Sequence, residues 1–243
     1  MTQEELLTTV MSATQVLDYI AEKKRVQPMT MIKDLGMSKG SLYRFLETLK
    51  ACNLVEHDAS GHYMLTFKLF EIGNSVLFQD NLIDLARPAM LRLSESSGFS
   101  VNLGILYEQQ VLLIDKVESF DVVLMDHPLG SLFPLVTSSI GNVLLSGYTP
   151  QALMRYCAEF SCDQEAIEQK VQFINEHSYI ISEGCFSPDI ISCGSPIKKQ
   201  GKIIAGIGLS APMHAVHATR MREAIPHVLR TAEELSDNLS KLT

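Results

Sequence analysis

The chain has 243 residues, of which 46% are hydrophobic and 20% charged, and a formal charge of -8. That length suits two domains better than one, and that composition excludes a disordered or collagen-like chain. Apolar runs such as residues 111–114 and 203–209 fall far short of the roughly 20 residues that span a bilayer.

The start Thr2-Gln3-Glu4-Glu5 lacks the basic stretch of a signal peptide, so a cytoplasmic protein with no membrane partner is expected. The five cysteines are odd in number and contain no C-x-x-C pair, which predicts free thiols rather than disulfides or a zinc site. No cofactor and no metal are expected. Net acidity sits awkwardly with nucleic-acid binding, but it is unevenly spread. Residues 1–66 hold 7 basic and 8 acidic side chains, leaving 13 basic and 20 acidic for the rest.

In chain order, Val10, Ala13, Val16, Leu17, Ile20 and Ala21 recur at helical spacing and predict a first amphipathic helix, closed by Glu22-Lys23-Lys24-Arg25. A short helix over residues 30–35 stops at Gly36, the residue best able to take a positive φ. Ser38 then serves as the N-cap of a third helix whose Leu42, Phe45, Leu46 and Leu49 share one face. Short helix, glycine turn and longer helix is the order of a helix-turn-helix. Leu54-Val55-Glu56-His57, the turn Asp58-Ala59-Ser60-Gly61 and Tyr63-Met64-Leu65-Thr66 read as a β-hairpin placed where a wing belongs.

If Leu42, Phe45, Leu46 and Leu49 face the core, Gly40, Arg44 and Glu47 lie opposite them, flanked by Lys39, Tyr43 and Thr48. Arg44 suits a guanine edge or a phosphate, and Ser38, Lys39 and Ser41 sit where helix-terminal N–H groups favour phosphate. Gly40 allows close backbone approach. The candidate DNA-binding set is therefore Ser38, Lys39, Gly40, Ser41, Tyr43, Arg44 and Thr48. Periodicity alone also allows a helical hairpin with a merely solvated outer face. Glu47 either accepts from a cytosine or, as the stronger expectation, pairs with Arg44 and Lys50 along the helix. His57 and His62 flank the wing turn without the partners a metal site requires.

Residues 67–97 return to helical periodicity, broken near Gln79-Asp80-Asn81. Val101, Leu103 and Ile105 then alternate, Glu108-Gln109-Gln110 turns the chain, and a second strand covers residues 111–117. Helices are predicted near residues 138–146, 150–159 and 164–177, and strands near 179–182, 190–198 and 203–210. A single closing helix over 218–242 completes the chain, with Pro226 as a kink or early-turn residue. An antiparallel sheet with helices around it makes the fold class α+β.

Several blocks, in order, resemble the IclR family of bacterial transcriptional regulators. They include Ser12-Ala13-Thr14-Gln15-Val16-Leu17, the run from Leu35 to Leu49, Gly61-His62-Tyr63-Met64-Leu65, Asp115-Lys116-Val117-Glu118-Ser119, Pro134-Leu135 with Ile140-Gly141, residues 201–207, and Leu209-Ser210-Ala211-Pro212. Gln15 departs from the Arg found in many members, and Gly40 from their Ser or Thr. The resemblance implies a winged helix-turn-helix over residues 1–66, a linker helix over 67–81, and a GAF-like domain over 82–243 that binds an effector and drives oligomerisation. It further implies operator DNA and a small organic acid as partners, with self-association as a dimer or a dimer of dimers.

The same resemblance places an effector pocket at Ser139, Ile140, Ser182, Ile190, Ser192, Gly208 and Ser210, with Val122 and Met125 as an apolar lid. Members often carry Asp and Cys where this chain has Ser182 and Ser192, and Glu183 and Cys193 stand one residue away. Hydroxyls, together with N–H groups at a helix start, suit a carboxylate without a buried cation, and many serines favour a sugar acid or a 2-oxo acid. Without the resemblance, these serines read simply as caps of helices and strand ends. The expected function is a transcriptional regulator, a repressor released by such an acid. An activator with an aromatic acid effector and a winged-helix adaptor are the alternatives. An enzyme is not expected: there is no G-x-S-x-G elbow, no H-E-x-x-H and no P-loop, and His214 and His217 lack a third ligand.

Overall fold

The computed structural model describes residues 7–77, 82–119, 128–184 and 188–241. Contacts divide the chain into two compact units, Met1–Asp80 and Asn81–Thr243.

In the first unit, α1 (Thr8–Lys23), α2 (Pro28–Leu35) and α3 (Lys39–Ala51) are followed by β1 (Val55–His57), β2 (Tyr63–Leu65) and α4 (Phe67–Leu77). Pro28 opens α2, where its missing N–H costs nothing, and Gly36 closes it at φ 64°. Ser38 caps α3 by accepting from the Ser41 N–H at 3.1 Å. Val16, Ile20, Met31, Leu42, Leu46, Leu49, Val55 and Tyr63 form the buried core, with Phe45 packed against it half-buried. The face expected to turn inward does so. β1 and β2 pair antiparallel with Val55 opposite Leu65, and Tyr63 also exchanges backbone hydrogen bonds with Val26, tying the wing to the segment after α1.

The second unit contains α5 (Leu82–Ser97), β3 (Ser100–Tyr107), β4 (Gln110–Val117), β5 (Leu132–Pro134), a 3-10 turn (Leu135–Thr137), α6 (Ser139–Leu145), α7 (Pro150–Phe160) and α8 (Gln164–His177). It continues through β6 (Ile180–Glu183), β7 (Ile190–Lys199), β8 (Lys202–Pro212), α9 (Ala215–Glu223) and α10 (Ile225–Lys241). The six strands form one antiparallel sheet in the order β5-β4-β3-β8-β7-β6. Val101, Leu103, Ile191, Cys193, Ile207 and Leu209 point to one face, where they bury against Met90, Leu93, Val228 and Leu235 of α5 and α10. Because side chains alternate along a strand, residues at even numbers on β3, β7 and, beyond the irregularity near Ile203, β8 turn to the opposite face, where α6 lies.

Helix α6 sits directly on that face. A Cβ at Gly208 would come within 3.0 Å of the Ile140 side chain, and one at Gly194 within 2.9 Å of the Ser139 carbonyl carbon. Glycine here is a matter of space: the sheet is bare where the helix touches it. Two expectations change. The closing segment is two helices rather than one, because Pro226 has no N–H to give the Arg222 carbonyl; α9 ends at Glu223, and α10 restarts from the Ala224 carbonyl, which accepts from His227 and Val228. The edge strand β5 was not anticipated, since three residues are too few to show an alternation.

Candidate DNA-binding and effector sites

On α3, Ser38, Lys39, Gly40, Ser41, Tyr43, Arg44 and Thr48 are all exposed on the side away from Leu42, Leu46 and Leu49. Ser38 Oγ donates to Ser41 Oγ at 2.9 Å while accepting the Ser41 N–H, which leaves the Ser41 hydroxyl proton directed outward. Thr48 differs: its hydroxyl donates to the Arg44 carbonyl of its own helix at 2.7 Å, so it presents a methyl and oxygen lone pairs. Beside the start of α3, Thr8, Thr9, Ser12, Met37, Ser38, Ser41 and Phe45 line an open groove of about 270 Å³.

The expected pairing of Glu47 with Arg44 and Lys50 is corrected. Among the described residues neither Glu47 nor Arg44 makes an ion pair, and Lys50 Nζ donates to His57 Nε2 at 3.0 Å instead, joining the recognition helix to the first wing strand. The wing turn is built on Asp58. Its carboxylate accepts from Ser60 N at 2.8 Å, from His62 N at 3.1 Å and from Arg25 Nε at 2.8 Å. These bonds, that from His62 first and the one from Arg25 next, hold the Asp58 carboxyl down at about 2.

In the second unit, sheet register draws the sequence-selected serines together. Ser182 pairs with Ser192, Ser192 with Ser210 and Ser210 with Ser100, so four serines form one row across β6, β7, β8 and β3. At a strand spacing of about 4.8 Å the row spans about 14 Å. The next row is Ile180, Gly194, Gly208 and Asn102, and Ser139 and Ile140 of α6 rest on its glycines. Ser139, Ile140, Ser182, Ile190, Ser192, Gly208 and Ser210 thus share one side of the sheet. Val122 and Met125 fall outside the described residues.

Ser182 is 5% exposed, and its Oγ is buried without a hydrogen-bond partner among the described residues. An orphaned buried hydroxyl costs roughly 1–3 kcal/mol and marks a place where a ligand or water completes the structure. Asn102 Nδ2 donates to Ser210 Oγ at 2.9 Å, and the Ser119 N–H donates to Ser100 Oγ at 3.1 Å. Helix α6 has only seven residues, and Ser138 Oγ already accepts its Gly141 N–H at 3.0 Å. The polar character of this face therefore rests on hydroxyls more than on the helix start.

Parity also settles which neighbours face the row. Cys193 is fully buried on the α5 and α10 side, where burial pushes its thiol up to about 12. Glu183 points away from the row and meets Arg222 at 3.1 Å. Neither exchanges places with Ser192 or Ser182. Ser100 and Asn102 were not singled out in the sequence, although the alternation of Val101, Leu103 and Ile105 already assigns them to the opposite face.

Two family profiles match the chain: "Bacterial transcriptional regulator IclR C-terminal" over residues 74–237 and "IclR helix-turn-helix domain" over residues 9–59. The chain belongs to the IclR family.

Among its relatives, the HTH-type transcriptional regulator BhcR of Paracoccus denitrificans is 27% identical over 92% of this chain and 84% of its own. The HTH-type transcriptional repressor AllR of Escherichia coli is 24% identical over 93% of this chain and 86% of its own. In fold, the chain resembles an IclR homologue of Microbacterium hydrocarbonoxydans solved with 4-hydroxybenzoate. The TM-score is 0.80 at 16% identity, over 97% of this chain and all of the other. This IclR-family chain is a transcriptional regulator with a helix-turn-helix DNA-binding domain and an α+β fold, and its relatives are regulators rather than enzymes. Among the described residues, no helix is long and apolar enough to cross a membrane, and no three of His, Cys, Asp or Glu are grouped to hold a metal ion.

Proposed function

We propose that this regulator is a cytoplasmic repressor whose operator binding is released by a small polar organic acid, a sugar acid or a 2-oxo acid, held over the serine row of the second unit. The observation that carries the effector half is the buried, unpartnered Ser182 hydroxyl in line with Ser192 and Ser210. Ser139, Ile140, Ile190 and Gly208 frame that row, and Val122 and Met125 are assigned to the ligand site with it. Hydroxyls rotate to suit their partner, so a row of them recognises a hydroxylated acid well and an apolar ligand badly.

For DNA, Arg44 takes a guanine edge in the major groove, with Tyr43, Gly40 and Thr48 beside it, while Lys39, Ser38 and Ser41 hold phosphate. The groove of hydroxyls next to Ser38 and Ser41 supports that assignment. Repression is supported by AllR, a repressor by name. Self-association as a dimer or dimer of dimers is supported by α4, which leaves Phe67, Phe70, Ile72 and Val76 at least half exposed within its own unit. A ligand acts by binding one arrangement of the assembly more tightly than another.

One observation favours a second reading, an aromatic acid effector: the Microbacterium homologue holds 4-hydroxybenzoate. The experiment that tests the proposal is a gel shift on the DNA upstream of the protein's own coding sequence, at physiological salt and with competitor DNA. A specific complex dispersed by a sugar acid or 2-oxo acid is expected. No preferential complex overturns the operator assignment. A complex dispersed only by aromatic acids replaces the first reading with the second.

A further inference from the structure

We infer that Asn102 is the positioning residue of the effector pocket: by donating to Ser210 Oγ it fixes Ser210, with Ser100 beside it, as outward hydroxyl donors that receive the carboxylate end of the ligand. The inference rests on the serine row being the ligand site, and it adds a direction to that site.

A serine hydroxyl has one proton and two lone-pair positions, and what it offers a ligand depends on what its neighbours have already taken. Asn102 Nδ2 occupies an acceptor position of Ser210, at 2.9 Å. The Ser119 N–H does the same for Ser100, at 3.1 Å. Among the described residues no acceptor is found for the hydroxyl proton of either serine, so both protons remain to be given away. Ser100 and Ser210 are direct partners across β3 and β8. They therefore present two donors about 5 Å apart at the Cα level on one face, a spacing two carboxylate oxygens can bridge.

The Asn102 amide lies between two neighbouring strands. β3 lies between β4 and β8, and the register sets Lys116 of β4 directly opposite Asn102. The Lys116 ammonium on that flank pairs with Glu118 at 2.7 Å, and the Asn102 NH2 is turned to Ser210 on the β8 flank. At the other end of the row, Ser182 Oγ has no hydrogen-bond partner among the described residues and keeps both roles, which suits a ligand hydroxyl or oxo group. The row is thus polarised: committed donors at β3 and β8, an adaptable hydroxyl at β6.

The test compares pyruvate, D-gluconate and 4-hydroxybenzoate, each with its carboxamide, by calorimetry on the full-length protein. Wild type should prefer an acid over its amide by about tenfold or more, since charge-assisted bonds to a carboxylate are roughly twice as strong as neutral ones. Asn102→Asp, nearly the same shape, accepts from Ser210 instead of donating to it and adds a negative charge. It should erase the acid preference while the far-ultraviolet spectrum stays unchanged. Asn102→Ala, included in case the half-buried charge prevents folding, should reduce the preference by about threefold through loss of the fixed donor geometry. An acid-to-amide ratio equal to wild type in both variants overturns the inference and leaves the pocket reading standing. Wild-type protein that binds none of the three acids refutes the pocket reading, and this inference with it.

Discussion

At the scale of single residues the two halves of the chain solve different problems. Arg44 stands exposed on α3 without an ion-pair partner among the described residues, free of the competition that Glu47 was expected to supply. Replacing it with Ala should weaken operator binding by about 1–3 kcal/mol, roughly 5- to 150-fold, with the melting temperature unmoved; anisotropy on labelled operator measures this. Asp58 organises the wing. Its carboxyl lies near 2 rather than at its ordinary 3.8 because the folded turn donates to it, so the charged form is the one folding favours. Its contribution is full above about pH 4 and is lost as pH falls towards about 2. Asp58→Asn, which keeps an acceptor for the turn but loses the charge facing Arg25, should melt lower than wild type near neutrality and converge with it in acid. A constant gap across that window would contradict the assignment.

At the scale of elements, α3 and the wing were legible from sequence because their signals are local. Gly36 must take a left-handed φ, Ser38 caps three residues ahead, and Leu42, Leu46 and Leu49 repeat at helical spacing. Leu46 is fully buried, so Leu46→Ala should cost about 2–5 kcal/mol and abolish DNA binding through loss of the domain, read by a lower first transition on urea denaturation. Elements set by tertiary context were less legible. β5 exists because Val111 and Leu112 offer it an edge. The break at Ala224 depends on which carbonyl Pro226 would strand. In the candidate pocket, Ser182, Ser192 and Ser210 were picked out by family likeness, and only strand register shows that they stand in one line. Ser100 and Asn102 belong to the same face, and alternation along β3 marks them, but a polar residue between apolar ones reads equally well as solvent-facing. Their partners, Ser119 and Ser210, are distant enough in the chain that no local pattern reveals them.

For the whole molecule, charge and surface set the terms of binding. Residues 1–66 are close to neutral and the rest strongly acidic, so phosphate contacts from one copy are few. Tight operator binding then requires two or more copies acting together, which raises effective affinity without any new contact. The exposed apolar residues of α4 provide a surface for that association. Phe70→Glu, at a position 68% exposed, should leave folding intact and shift the assembly towards smaller species by sedimentation; unchanged mass would remove α4 from the interface.

The central claim is that an acid held on the serine row controls the grip of α3 on DNA. It is tested by titrating D-gluconate and pyruvate into a preformed operator complex of wild type and of Ser182→Ala/Ser210→Ala. Reciprocity of coupled binding requires that an acid which dissociates the wild-type complex should bind free protein more tightly than operator-bound protein. The expected result is release of DNA from wild type and none from the double variant, which still binds operator with wild-type affinity. Release of DNA from both proteins at the same acid concentration would contradict the account.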